Sequence, residues 1–300
     1  MDQQLSDLLQ RKAEVELRET ELRRKQSLEQ FREWLKKHPY LKRTRQDDNY
    51  LSLYLRTKKY NLNEVFKSYE KQFLFRLKCA KWFDLSDDNV VARLRSHIEC
   101  GSKYIIKDYS STEPIIYIQR FEKFDAEKYP VTDIFQSDFS LFGACLELEK
   151  AQICGFRLIT DFTNVPMSVF TSVTISEVLD WARALISCPG RYKQNILINI
   201  PSIAMTFYNI VSTMLPEKLR KRLVMVKNYE ELKNFMDVSI LPKEFGGNCD
   251  ENVYIEETLR IFDEKLEMIR KSNDYEIDVS QFSGRLHNDD VGSFRKLEID

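Results

Sequence analysis

The chain has 300 residues, 43% of them hydrophobic and 31% charged, with a formal net charge of −1. This is the composition of an ordinary globular protein, long enough for one large domain or two modest ones. Near-neutrality excludes a global field that would draw nucleic acid, so any anion site must be local.

The first 37 residues read as helix. Leu17, Leu22, Leu28, Phe31 and Leu35 recur every three or four positions among charged residues, and Pro39 ends the run. Asp47 and Asp48 can open a second helix with Leu51, Tyr54 and Leu55 inward. A third carries Val65, Phe66, Tyr69, Phe73 and Leu77. Residues 1–85 therefore form an all-helical unit. The texture then changes. Ile115 to Ile118 read as a strand, 133–151 as a helix stopped by Gly155, Phe156 to Phe162 as a strand, and 168–187 as a helix. A strand at 195–200 ends at Pro201, and an unusually apolar helix with Ile203, Phe207, Ile210, Val211 and Met214 follows. Then come a strand over 223–226, a helix over 229–236 and a charged helix over 253–270. Strands alternating with helices give an α/β class with a mainly parallel sheet. The divisions are 1–85, 86–250 and 251–300, the last a helix with a polar tail that is loose or draped on the surface.

Signatures of catalysis are missing. The sequence has no GxGxxG, GxxxxGK[ST], GxSxG or HExxH. The three His stand in unrelated settings, Cys154 and Cys188 lack an obvious base, and Asp161 at a strand end is expected to cap its loop. Six Cys without CxxC spacing or a nearby His argue against zinc. The charged N-terminus has no apolar signal region, and no run approaches the roughly 20 residues that span a bilayer. A cytosolic chain with reduced thiols and no catalytic or metal-binding residues is expected.

What stands out is apolar excess on the helices flanking the sheet, and basic groups at both ends of 189–222: Arg191 and Lys193 before the strand, Lys218, Arg220, Lys221 and Arg222 after the greasy helix. Apolar stripes at helical spacing fit a close-packed core or the wall of a ligand cavity. Spacing alone does not separate the two.

Particular segments carry a resemblance. FREWLKKHPYL with DDNYLSLYLRTKKYNLNEVFKSYEKQF, and then LINIP, the apolar helix, LPEKLRKR and ILPKEFGG, resemble the CRAL-TRIO (Sec14-like) lipid-binding family from about Phe31 to Gly247. Within it the chain looks most like the α-tocopherol transfer and retinaldehyde-binding branch. The resemblance implies an N-terminal helical segment packed on a CRAL-TRIO domain, with a mobile lid helix at about 202–215 over an apolar cavity. Aligned by motif, the cavity positions are Phe135, Phe142, Phe156, Leu158, Trp181, Leu185, Phe207, Val211 and Leu215. The branch's phosphoinositide-binding positions are Arg191, Lys193, Lys218 and Arg222. Asp138, Thr160 and Tyr192 are candidate polar anchors. The sequence departs from the family after Asp161, where Phe162, Thr163, Asn164 and Val165 replace an expected early Gly, and 161–189 is one residue short.

The function so implied is that of a cytosolic carrier, peripherally and transiently membrane-associated and not an enzyme. It would hold a hydrophobic small molecule or lipid, tocopherol-like or otherwise, and exchange it at membranes containing phosphatidylinositol bisphosphate or related headgroups. No cofactor beyond the bound apolar ligand and no nucleic-acid partner is expected. The alternative is a phosphoinositide-sensing adaptor whose cargo is incidental.

Overall fold

The computed structural model describes residues 3–41, 43–108, 110–125, 128–271 and 278. Helices α1 (Gln3–Lys12), α2 (Glu21–Lys36), α3 (Asp48–Thr57), α4 (Leu62–Lys78) and α5 (Asp88–Glu99) come first. Their starts are set locally. Thr20, Asp47, Asn61 and Asp87 each accept a hydrogen bond from a backbone N–H one turn in, which pins the N-termini of α2 to α5. The expected single helix over 1–37 is two. A wider turn of π type at Ala13–Leu17 and a left-handed Arg18 divide them, and Thr20 starts afresh.

The sheet follows: β1 (Lys103–Ile106), β2 (Ile115–Arg120), β3 (Phe156–Asp161), β4 (Tyr192–Ile198) and β5 (Leu223–Val226), in that spatial order. β1 runs antiparallel to β2, and the other pairs are parallel. The crossovers are α6 (Thr132–Leu146) with α7 (Glu149–Cys154), α8 (Met167–Ser172) with α9 (Ile175–Ser187), and α10 (Ser202–Met214) with α11 (Glu217–Arg220). The helix expected over 133–151 breaks at Glu147–Leu148, where the Glu147 carboxylate is held by Arg45 at 2.6 Å and by Asn49 at 2.8 Å. The helix expected over 168–187 breaks at Val173. Thr174 and Glu177 form a reciprocal capping box that starts α9 independently. The helix expected over 229–236 is a short 3-10 stretch, Tyr229–Asn234. The closing helix α12 (Glu251–Lys271) packs along β1, α5 and α6. The polar tail expected after it lies, apart from Asp278, outside the described residues.

The N-terminal helices dock through buried polar contacts as well as apolar ones. The Arg56 guanidinium, 3% exposed, donates to both Glu19 oxygens at 2.8 and 2.7 Å, to Gln152 at 2.8 Å and to Glu149 at 2.9 Å. Thus α3 is tied at once to the residue before α2 and to α7. Gly155, between α7 and β3, has φ +81°, and a Cβ there would sit 2.2 Å from the Arg191 carbonyl oxygen. That same carbonyl accepts the Phe156 N–H at 2.8 Å, so the bare backbone at 155 lets β4 begin beside β3.

Candidate functional site

One face of the sheet carries Gln119, Leu158, Thr160, Asn195, Leu197 and Leu223. Helices α6, α8, α9 and α10 stand over it without filling the space between, and a cavity of about 200 Å³ remains. Register explains its floor. Gln119 pairs with Thr160, Thr160 with Leu197, Leu158 with Asn195 and Asn195 with Leu223, so these side chains share one face by the alternation of strands. Phe135 comes from α6, Trp181 and Leu185 from α9, Phe207 and Val211 from α10. Leu215 closes the α10 end.

Of the positions expected to line a cavity, Phe135, Leu158, Trp181, Leu185, Phe207, Val211 and Leu215 do surround it. Phe142 and Phe156 do not. Their rings pack on each other at 4.4 Å, and Phe142 stacks on Tyr192 at 5.5 Å, so this end of the same sheet face is solid core. Phe142 instead borders a second cavity of about 80 Å³, with Arg45, Gln72 and Arg76 from the N-terminal segment on its far side. The sheet face was legible from alternation. The point along it where filling stops depends on which aromatic rings meet, and spacing carries no such information.

Asp138, Thr160 and Tyr192 all border the main cavity. Asp138 has an unusual partner. The Lys103 ammonium, buried on β1, donates to Asp138 Oδ1, Ser137 Oγ and the Ile134 carbonyl, each at 2.6 Å. Burial lowers the Lys103 pKa, and Asp138 opposes the drop. The Tyr117 hydroxyl reaches the same Oδ1 at 3.3 Å. Lys103, Gln119 and Asn195 were not anticipated. A polar residue inside an apolar strand was the available signal. Asp161 faces away from cargo chemistry: it accepts from the Thr163 backbone at 2.9 Å and the Tyr229 hydroxyl at 2.8 Å. Asn164, at φ +51°, takes the left-handed turn expected of the missing Gly.

The basic residues gather beyond the Leu215 end. The Arg191 guanidinium lies 3.1 Å, and the Lys193 ammonium 2.9 Å, from Glu16 Oε2 on the π-type turn, with Lys12 at 3.1 Å from its other oxygen. Partial burial would raise the Glu16 carboxyl, but hydrogen bonds and charge from Lys193 and Lys12 outweigh it and hold it at about 2. Arg222 donates to the Tyr192 carbonyl and also borders the cavity. Lys218 is exposed. Desolvation, then repulsion from Arg222, Lys59, Lys58 and Arg191, lowers its pKa. The four expected cations are therefore one electrostatic group. Lys58 and Lys59, at the end of α3, extend it from the N-terminal segment.

Comparison with known proteins agrees with this architecture. The profile of the CRAL/TRIO domain matches residues 99–247. Clavesin-2 of Rattus norvegicus is 26% identical over 241 residues, 79% of this chain and 72% of its own, and clavesin-1 of Xenopus laevis is 25% identical over 239 residues, 79% and 71%. The crystal structure of Sfh5 superposes with a TM-score of 0.51 at 9% identity, covering 82% of this chain and 98% of that one, a likeness of fold. With an N-terminal helical segment, a mainly parallel five-stranded sheet and a cavity beneath its crossover helices, the chain belongs to the CRAL/TRIO, Sec14-like, lipid-binding family.

Proposed function

We propose that the protein is a carrier that holds one hydrophobic molecule, of the tocopherol or retinoid size class, in the cavity under α10 and exchanges it where Arg191, Lys193, Lys218 and Arg222 meet phosphoinositide headgroups. The observation that carries this reading is Arg222, which borders the cavity and belongs to the cation group. A polyanion engaged by this guanidinium pulls on a wall of the cargo site, so headgroup and cargo affinities are coupled, reciprocally by linkage. The cavity supports the reading because its lining is overwhelmingly apolar, and apolar burial retains a water-insoluble guest at about 25 cal/mol per Å². The lid is suited to opening: of the many apolar residues of α10, only Ala204 and Val211 are buried, and Ile203 is exposed.

The test is transfer of a fluorescent apolar cargo from loaded protein to vesicles. Lys218→Ala with Arg222→Lys is expected to slow transfer to vesicles containing phosphatidylinositol bisphosphate, leaving transfer to neutral vesicles and cargo affinity in solution unchanged. Equal rates for variant and parent would refute the role of the cations. A protein that takes up no apolar cargo at all would leave the adaptor reading in its place.

A further inference from the structure

The cavity is apolar except for one strip, and that strip has hydrogen-bond acceptors to spare. Asp138 Oδ1 takes three donors: Lys103 at 2.6 Å, Tyr117 at 3.3 Å and Gln119 at 3.5 Å. Oδ2 receives only the Gln119 amide, at 3.5 Å, the outer limit of a hydrogen bond. A carboxylate has about four lone-pair sites, so Oδ2 retains accepting capacity. Across the floor, Asn195 Oδ1 is buried and has no hydrogen-bond partner among the described residues. Thr160 lies between them, paired with Gln119 on β2 and one step along β3 from the Leu158–Asn195 pair. Buried acceptors without donors are costly to leave unmade, and a guest that donates to them removes the cost.

We propose that this strip is a polar subsite selecting a cargo with a neutral, hydrogen-bond-donating end group, an alcohol or phenol, seated against Asp138, Thr160 and Asn195. The inference rests on the carrier reading and adds the chemistry of the cargo's end. An ether, ester or hydrocarbon end brings no hydrogen for Oδ2 or Asn195 Oδ1. A carboxylate end is repelled by Asp138, and Lys103, the cation nearby, is already engaged at 2.6 Å by three oxygens. The acceptors therefore sort three kinds of end group that the apolar walls treat alike. One missing hydrogen bond in such a site costs about tenfold in affinity.

The experiment measures binding of a matched series on one apolar body: the alcohol, its methyl ether, the hydrocarbon and the carboxylic acid, each displacing a fluorescent apolar probe from the full chain. The alcohol is expected to bind about tenfold or more tightly than the ether, and Asn195→Leu, nearly isosteric, to narrow that gap while leaving ether affinity unchanged or improved. Asp138→Asn is the second variant: it keeps an acceptor but removes the charge, and is expected to admit the acid more readily than the parent does. Equal affinities across the series would overturn the subsite and leave the carrier standing. Failure of every member, with the probe itself unbound, would overturn the carrier reading as well.

Discussion

Glu16 is the carboxylate that any phosphoinositide would have to displace from Arg191 and Lys193, and its removal offers a quantitative test. Its side chain is 32% exposed, with cations at 2.9 and 3.1 Å on one oxygen and at 3.1 Å on the other. A carboxyl moved from 4.5 to about 2 nominally corresponds to about 3 kcal/mol. Solvent screening at a group this exposed reduces that to about 1 kcal/mol. The sign follows from the direction: the stabilisation is present above the ordinary carboxyl value and is lost as pH falls toward about 2. Glu16→Gln should therefore cost about 1 kcal/mol of stability at neutral pH, read by urea unfolding. It should also tighten binding of a soluble inositol polyphosphate about fivefold, because the ligand no longer competes with an internal anion. Isothermal titration at low and high salt is the assay, and the gain should shrink at high salt. The control is Glu14→Gln, which makes the same charge change at an exposed residue whose only printed contact is to Gln10. Equal affinity for Glu16→Gln and the parent, or an equal gain in the Glu14→Gln control, would refute direct competition.

The depressed pKa of Lys218 gives a pH dependence. A bound polyanion favours its charged form, so binding takes up protons on the alkaline side, and affinity should fall as pH rises toward the ordinary lysine value of 10.5, sooner than for an isolated lysine. Lys218→Arg should flatten that fall, which titrations across the alkaline range would detect. The buried Arg56 network gives a stability test. Arg56→Ala leaves Glu19, 9% exposed, without its two strongest hydrogen bonds, and should cost about 3–5 kcal/mol in urea unfolding. Adding Glu19→Ala should recover part of the loss, since the stranded charge goes with it.

Much of this architecture was legible because local chemistry and fold agree. The capping residues Asp47 and Asn61 and the β-branched strands ending at Pro201 and Val226 read directly, and the apolar helix 202–214 has the bounds its pattern gives. Helix α5 and strand β1 escaped notice because Lys103–Ile106 is only four residues long, directly after Gly101, and takes its order from pairing with β2 and from Thr258 on α12, whose hydroxyl accepts the Ile105 N–H. The break at Glu147 has no Gly or Pro to announce it. It is imposed by Arg45 and Asn49, about a hundred residues away. The break at Val173 did have a local signal, Thr174 followed three residues later by Glu177, overlooked within a longer apolar rhythm. For the site, residue type identified the cations well, because Arg and Lys at both ends of a strand–helix unit have few structural uses. Their neutralisation by Glu16 depends on a helix almost two hundred residues distant and was invisible.

The glycine at 155 has a consequence for how this protein tolerates variation. Position 155 touches neither the cavity nor a cation, and its neighbour of interest is a carbonyl oxygen that every residue type at 191 possesses. Substitution there cannot be absorbed by a side chain turning aside, because the obstruction is main chain against Cβ. The strand carrying Arg191, Lys193 and Asn195 would have to start farther from β3, spreading a change of a single methyl over cation spacing and cavity floor together. A survey of natural variants that scored residues by distance from cargo would pass over this position, although it sets the separation on which both halves of the site depend.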